Sequence, residues 1–456
     1  AMEEHPPLHY WMLHFWNLIV DTNAFAGRFL SVAFSVLTIT LLYRIGKRVG
    51  GAWIGVLAAL LLATARFHIW WSQDIKNYTP SIFFAFAAVW FALDVIASPE
   101  GTKQSPNPQS GIASSQTPLL AMTHWKSIVG YALCAALGMW THYLAVLVLL
   151  ALNVYAAIVI SHFFLVHRRW HIDRLPHWLI ANILSVALFA PWMILYLQNA
   201  AAWSAAPAFD CALFLKLVAT VLPFGVTTNI ENYTALTIAL TTLAALGCVW
   251  IFAPRPSRCA TRNSQFAILP FFLIVTLPPL LIYLLSLTPV AFFAPKIQAR
   301  YLLILLPAYV MLVALGIALL GRFSMYLALA ATLFVLGTSA FVLTDYYANR
   351  RLRDEYTTLA NTINSFARQG DLVLLDTDQE WPTFLYYLRA PLEWLGAPNG
   401  KLMDSANTDA LVQRALTRHD AVWLVAIPDV LATDPQRLLE TRLARELPKQ
   451  FEQTFG

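Results

Sequence analysis

The residues able to do chemistry stand in short polar stretches between long apolar runs. Glu3, Glu4, His5 and His9 flank Pro6-Pro7. Gln73, Asp74, Lys76 and Tyr78 follow an apolar run that ends near residue 70, and His142 and Tyr143 form a short turn. Lys296, Arg300 and Tyr301 precede a late apolar run. Ionisable side chains at membrane boundaries are costly and tend to mark function. Lys and Arg hold phosphate through charge-assisted hydrogen bonds, Arg in a bidentate way, so a lipid phosphate suits this set. Each residue taken singly has a plainer reading. A Lys or Arg at a helix end snorkels to the interface, and Asp74 with Lys76 makes an ordinary surface ion pair of little worth. His142 alone reads as a hydrogen-bonded structural histidine, His9 and His14 as lipid-facing or packing residues, and Trp70, Trp71, Trp140 and Tyr143 as an interfacial belt. Convergence of several such loops on one face favours function.

The elements that must position these residues are membrane spans. Hydrophobic residues make up 59% of the 456 and charged residues 12%, with mean hydropathy +0.60, against roughly 45–50% and 25% in soluble domains. Apolar runs of spanning length lie near 27–46, 52–70, 79–97, 127–141, 143–165, 177–197, 234–253, 266–287, 301–320 and 324–343, giving about ten spans. The stretch 8–20 (LHYWMLHFWNLIV) is shorter and predicts a helix lying in the interface. One alternating set of loops holds Arg44, Lys47 and Arg48; Lys103 and Lys126; Arg168, Arg169 and Arg174; Arg255, Arg258 and Arg262; and Arg322. The positive-inside rule makes that set cytoplasmic. The N-terminal segment, 71–78, the His142 turn, 198–232, 288–300 and the C-terminal domain then face outside. Net charge of +5 reflects the basic cytoplasmic loops rather than nucleic-acid binding. The loop 98–126 reads as a flexible linker. Four cysteines show neither a disulfide framework nor a zinc spacing.

From about residue 346 the composition changes. Arg350, Arg351, Arg353, Asp354 and Glu355 open a polar helix, DLVLLD (371–376) and AVWLVAIP (421–428) predict buried strands, and helical patterns lie near 379–388, 406–418 and 434–446. The expectation is a mainly α polytopic helix bundle over 1–345 and a small α/β domain over 346–456. That domain is expected to be incomplete, since the chain stops soon after a helix.

The run HPPLHYWMLHFW followed by GRFLSVAFSVLTITLLYRIGKRVGG, then FHIWWSQDIKNYTPSIFFAF, THYLAVLVLL and ARYLLILLP, resembles bacterial glycosyltransferase family 39. These are the dolichyl-phosphate-mannose-protein mannosyltransferase-like enzymes of the GT-C class. The resemblance covers roughly residues 5–345. It implies a GT-C-like bundle in the cell (inner or plasma) membrane with an extracytoplasmic C-terminal domain. It also implies a hexosyl- or pentosyltransferase that takes a sugar from a polyprenyl-phosphate carrier in the lipid and passes it, with inversion, to a glycan, lipid or protein acceptor. His5 belongs to the loop at the lipid-phosphate entrance. Asp74 and Lys76 stand where the family has its acid and basic residue, with Lys in place of the more usual Arg. Tyr78 follows in the same loop, Arg300 and Tyr301 match an Arg-Tyr clamp for the carrier phosphate, and His142 matches the histidine of the short turn. The family's catalytic acid follows a first span not found here. Glu4 and Asp74 are the candidate catalytic carboxylates, with His142, and Lys296 joins Arg300 and Lys76 at the phosphate.

No nucleotide site is needed, because the leaving group is already an activated phosphate, and no Walker-type loop is present. Neither a cofactor nor a metal is expected, since no outer acidic cluster is dense enough to hold one. A polyprenyl-diphosphate-dependent ligase or polymerase is the enzyme alternative, and a non-catalytic scaffold a further one. A secondary transporter is the other alternative, weakened because the sequence shows few mid-membrane charges and no clear repeat.

Overall fold

The computed structural model describes residues 6–20, 23–97, 116–167, 174–199, 210–225, 231–250, 266–287, 299–348, 356–378, 381–398, 402–426 and 433–453. Two compact units divide the chain, Ala1–Tyr346 and Tyr347–Gly456.

The first unit contains helices α1 (Leu8–Val20), α2 (Ala24–Gly50), α3 (Ala52–Ala63), α4 (Arg66–Ser72), α5 (Tyr78–Ala97), α6 (Gln116–Thr141), α7 (Ala145–His167), α8 (Arg174–Asn199), α9 (Cys211–Phe224), α10 (Thr234–Val249), α11 (Leu269–Leu287), α12 (Leu306–Phe323) and α13 (Met325–Ala348). Within the described residues, every apolar run read from the sequence falls mainly on helical structure. Among the described residues seven helices are long and apolar enough to cross a membrane, or eight when α3 and α4, bent by 61° at their break, are taken together as one broken span. The bend follows from Ala65, whose extended backbone (ψ 116) separates the two helices. Apolar side chains on α2, α8 and α13 face outward, among them Val36, Leu37, Ile183, Val186, Leu329 and Leu333. Such a surface is stable only against lipid. This is a polytopic membrane protein.

Helix α12 forms the centre of this unit, with Leu306 through Ile317 buried. One set of polar side chains inside the bundle pairs internally, as bilayer burial favours. Trp178 Nε1 donates to Asn153 Oδ1 (3.0 Å), and Asn153 Nδ2 and Tyr131 Oη both donate to Asn182 Oδ1 (3.2 Å each). At the basic end of α2, Arg48 pairs with Asp94 at 2.6 Å, and Arg44 and Arg48 both lie over the Trp90 ring.

Residues 198–232, expected as loop, contain α9. Its 14 residues, with Lys216 inside and Pro223 near its end, fall short of the twenty that a span search seeks. Asp210 caps it, accepting from Leu213 N at 2.8 Å. Gly225 ends it at φ +72, with Phe67 Cα 3.2 Å from where a β-carbon would stand. Both the left-handed backbone and that close approach require glycine.

The second unit is α14 (Tyr356–Phe366), β1 (Leu372–Leu375), α15 (Trp381–Tyr387), β2 (Glu393–Gly396), α16 (Ser405–Leu416), β3 (Val422–Val425) and α17 (Leu438–Glu446). The strands are parallel in order β2-β1-β3, with helical crossovers as parallel pairing requires. Leu374 packs with Leu411, Val412, Leu439 and Leu443 on one face, and Val373 and Leu375 with Ile363 and Phe384 on the other. The helix opening at Arg350–Glu355 lies outside the described residues.

Asp376 ends β1 with 2% of its surface exposed, and its Oδ1 has no hydrogen-bond partner among the described residues. Burial first, then the Asp434 and Glu440 charges, push its carboxyl from 3.8 to about 7. Between those values the unfolded chain has released the proton and the folded unit retains it. Stability therefore falls as pH rises from about 4 toward and through 7, by at most about 4 kcal/mol. The melting transition of this unit, followed in the full chain, is expected at a higher temperature at pH 4.5 than at pH 8. Asp376→Asn should flatten that slope, and an unchanged slope in the variant would assign it elsewhere.

Candidate active site

Three separated segments supply the described part of the site. The first is the link between α4 and α5, residues 73–77. Asn77 Nδ2 donates to Thr141 O at 3.0 Å, joining this link to the turn between α6 and α7. Ser31 Oγ on α2 reaches Lys76 O at 3.5 Å. The second segment is that turn itself, where the Leu144 backbone N–H donates to His142 Nδ1 at 3.1 Å. This leaves Nε2 as the N–H edge of a neutral ring. The third is the 3-10 segment Ala299–Leu305, which leads directly into the buried α12.

These segments meet through rings. Tyr78 lies 5.3 Å from His142 and 4.9 Å from Trp71, and His142 lies 6.0 Å from Tyr301, centroid to centroid. The Arg300 guanidinium stands 5.8 Å from the Tyr301 ring centre. Arg300, Tyr301 and Asp74 are all within electrostatic reach of the Tyr78 hydroxyl. Tyr78 and His142 are buried, Asp74, Arg300 and Tyr301 half-buried, and Lys76 exposed. Asp74 and Lys76 form no ion pair with each other in the described structure, so the plain surface-pair reading does not apply. Arg300 Nε and Trp71 Nε1 are buried donors with no hydrogen-bond partner among the described residues. A guanidinium beside an aromatic ring, with a buried N–H that bonds nothing among the described residues, can receive an anion.

The structure thus brings Asp74, Lys76, Tyr78, His142, Arg300 and Tyr301 to one region. Glu4, His5 and Lys296 lie outside the described residues. The two histidines of α1 part company, with His14 exposed and His9 buried. Burial, then the Lys76 charge, pull the His9 imidazole down to about 4, so it is neutral at physiological pH. Its neighbour Trp11 stacks near Trp140 at 5.7 Å, which fixes α1 on α6. Two participants escape sequence reasoning. Trp71 reads as belt residue and is buried. Arg66 reads as a span-end cation, yet its side chain is 1% exposed and pairs with Asp345 at 3.2 Å. Nothing local in the sequence signals a partner 279 residues away. Among the described residues no group of three or more His, Cys, Asp or Glu is placed to hold a metal ion.

Residues 4–104 match the sequence model of the family described as dolichyl-phosphate-mannose-protein mannosyltransferase. No curated protein matches the chain by sequence. Among solved structures, ArnT from Cupriavidus metallidurans bound to undecaprenyl phosphate is similar with TM-score 0.53 and 15% identity over 97% of this chain and 85% of that one. The same enzyme in the apo state gives TM-score 0.52 and 14% identity over 99% and 86%. At such identity the likeness speaks of fold alone. The segment carrying Pro6-Pro7, α1 to α5 and the Asp74–Tyr78 link thus has the mannosyltransferase family's sequence pattern, and the chain as a whole has the GT-C glycosyltransferase fold.

Proposed function

We propose that this chain transfers a sugar from a polyprenyl-phosphate carrier to an acceptor on the extracytoplasmic side of the cell membrane. The observation that carries the reading is Arg300, a half-buried residue whose Nε bonds nothing among the described residues, standing beside Tyr301 and within electrostatic reach of Tyr78, both of whose rings pack near His142. ArnT, of the same fold, binds undecaprenyl phosphate, which supports a carrier of that class here.

The chemistry is a direct displacement. The acceptor hydroxyl oxygen attacks the anomeric carbon and the bond from that carbon to the phosphate oxygen breaks, inverting the centre. A carboxylate, Glu4 or Asp74, takes the hydroxyl proton. Arg300 and Lys76, with Lys296, offset the charge that develops on the departing polyprenyl phosphate. His5, Tyr78 and Tyr301 hold the donor head, and the His142 Nε2–H edge supplies a neutral hydrogen bond.

Reconstituted full chain is expected to transfer sugar from monophosphate-linked single-sugar donors to a membrane acceptor, and Lys76→Ala should lower kcat/KM about tenfold. Transfer from diphosphate-linked oligosaccharide alone would replace this reading with the ligase or polymerase one, and no transfer from either would overturn both.

A further inference from the structure

Arg66 is the first residue of α4, just past the bend of the broken span. A cation is disfavoured at the positive end of a helix, and a buried one needs a partner. Its position is therefore set by what it reaches. Nη1 donates to Asp345 Oδ2 at 3.2 Å, near the end of α13, and the guanidinium lies 5.5 Å from the Tyr346 ring centre. The Tyr233 hydroxyl, entering α10, donates to the same Asp345 oxygen at 3.1 Å. Trp70, one turn along α4, packs 5.4 Å from Tyr346. Three elements far apart in sequence are tied at the start of a seven-residue helix. That helix ends at Ser72, and the next residues are the Gln73–Asn77 link of the site.

We propose that Arg66 and Asp345 are positioning residues, a latch that fixes the angle of α4 and through it the placement of Trp71, Asp74, Lys76 and Tyr78. The catalytic part of this inference rests on the proposed transfer reaction. The geometric part does not. A bent span has lost the continuous backbone hydrogen bonding that makes a helix stiff, so its angle needs an external tie. The ion pair supplies one, and the Tyr233 hydroxyl on the same carboxylate oxygen gives it a second anchor.

Spin labels at residues 73 and 37, in the full chain with its native cysteines replaced by serine and placed in vesicles, read the angle of α4 whether or not sugar is transferred. Arg66→Gln and Asp345→Asn are each expected to broaden that distance distribution and move its centre by about 3 Å or more. They should lower kcat at least about tenfold while KM for the polyprenyl-phosphate sugar changes less than about threefold. Arg66→Lys should recover part of both effects, as a merely space-filling role would not. Tyr233→Phe, which keeps the ion pair, gives a smaller shift in the same direction and serves if Arg66→Gln does not insert. An unmoved distance in the neutral variants overturns the latch. A moved distance with unchanged kcat overturns the positioning role. A moved distance in the variants, where the unsubstituted chain itself transfers no sugar, leaves the latch standing and overturns the reaction.

Discussion

Arg300→Ala is expected to lower kcat/KM for transfer from a polyprenyl-phosphate sugar by about a hundredfold to a thousandfold, the range seen when one preorganised charge-stabilising donor is removed. The expectation rests on where the guanidinium is held. Residues Ala299–Leu305 form a 3-10 segment whose continuation, α12, is the most buried helix of the bundle. The arm that carries Arg300 is thus anchored in the rigid core, and the charge needs little reorganisation as the phosphate departs. The Tyr301 ring centre lies 5.8 Å from the guanidinium, and the Arg300 Nε has no hydrogen-bond partner among the described residues. Charge on the phosphate grows as the sugar bond breaks, so the loss should fall mainly on kcat. Arg300→Lys keeps the charge and loses the planar fork, and should recover about a tenth to a third of the wild-type rate. Steady-state transfer at varied donor concentration decides the matter. A rise in KM with kcat untouched would make Arg300 a holding group only, and unchanged turnover would remove it from the site.

Asp74, Lys76, Tyr78, His142, Arg300 and Tyr301 were legible in the sequence because the bilayer makes polar residues at span ends expensive and therefore informative. The spans were legible for the same reason, since twenty apolar residues in a row have few other uses. What stayed hidden depends on long-range contact. Arg66 looks like a snorkelling cation until Asp345 is found beside it. His9, read as lipid-facing or packing, proves buried within electrostatic reach of Lys76, because the α1 helix lays that face inward. Helix α9 is too short and too interrupted by Lys216 and Pro223 to register as a span. In the second unit β1 and β3 announced themselves by apolar runs. The strand β2, Glu393–Gly396, opens on an exposed glutamate and holds only two large apolar residues, so it offers no apolar run of strand length.

Gly316→Ala is expected to cost the first unit about 3 kcal/mol or more, the upper part of the range for overpacking a core. A β-carbon on Gly316 would stand 1.9 Å from the Leu243 carbonyl oxygen, and one on Gly247 would stand 1.9 Å from the Leu312 carbonyl oxygen. Helices α10 and α12 therefore touch backbone to backbone at two reciprocal points, the close approach that small residues permit between membrane helices. Neither obstacle is a flexible side chain that can rotate away. To admit one methyl group the helices must part, and parting α12 disturbs Leu312, Val313 and Leu315, all buried in the centre of the unit. The same helix carries Arg300 on its leading segment, so surviving protein should also lose activity. Gly337→Ala is the control, because a β-carbon there meets nothing within 4 Å, and the better helix propensity of alanine makes that change neutral or stabilising by up to about 1 kcal/mol. The double variant Gly247→Ala/Gly316→Ala should be less destabilised than the sum of the two singles, since either methyl forces the same separation. Thermal unfolding of the full chain in detergent, with wild type, the two singles, the double variant and Gly337→Ala run side by side, measures all of this. Equal stability of Gly316→Ala and Gly337→Ala would show that α10 and α12 do not meet at these glycines.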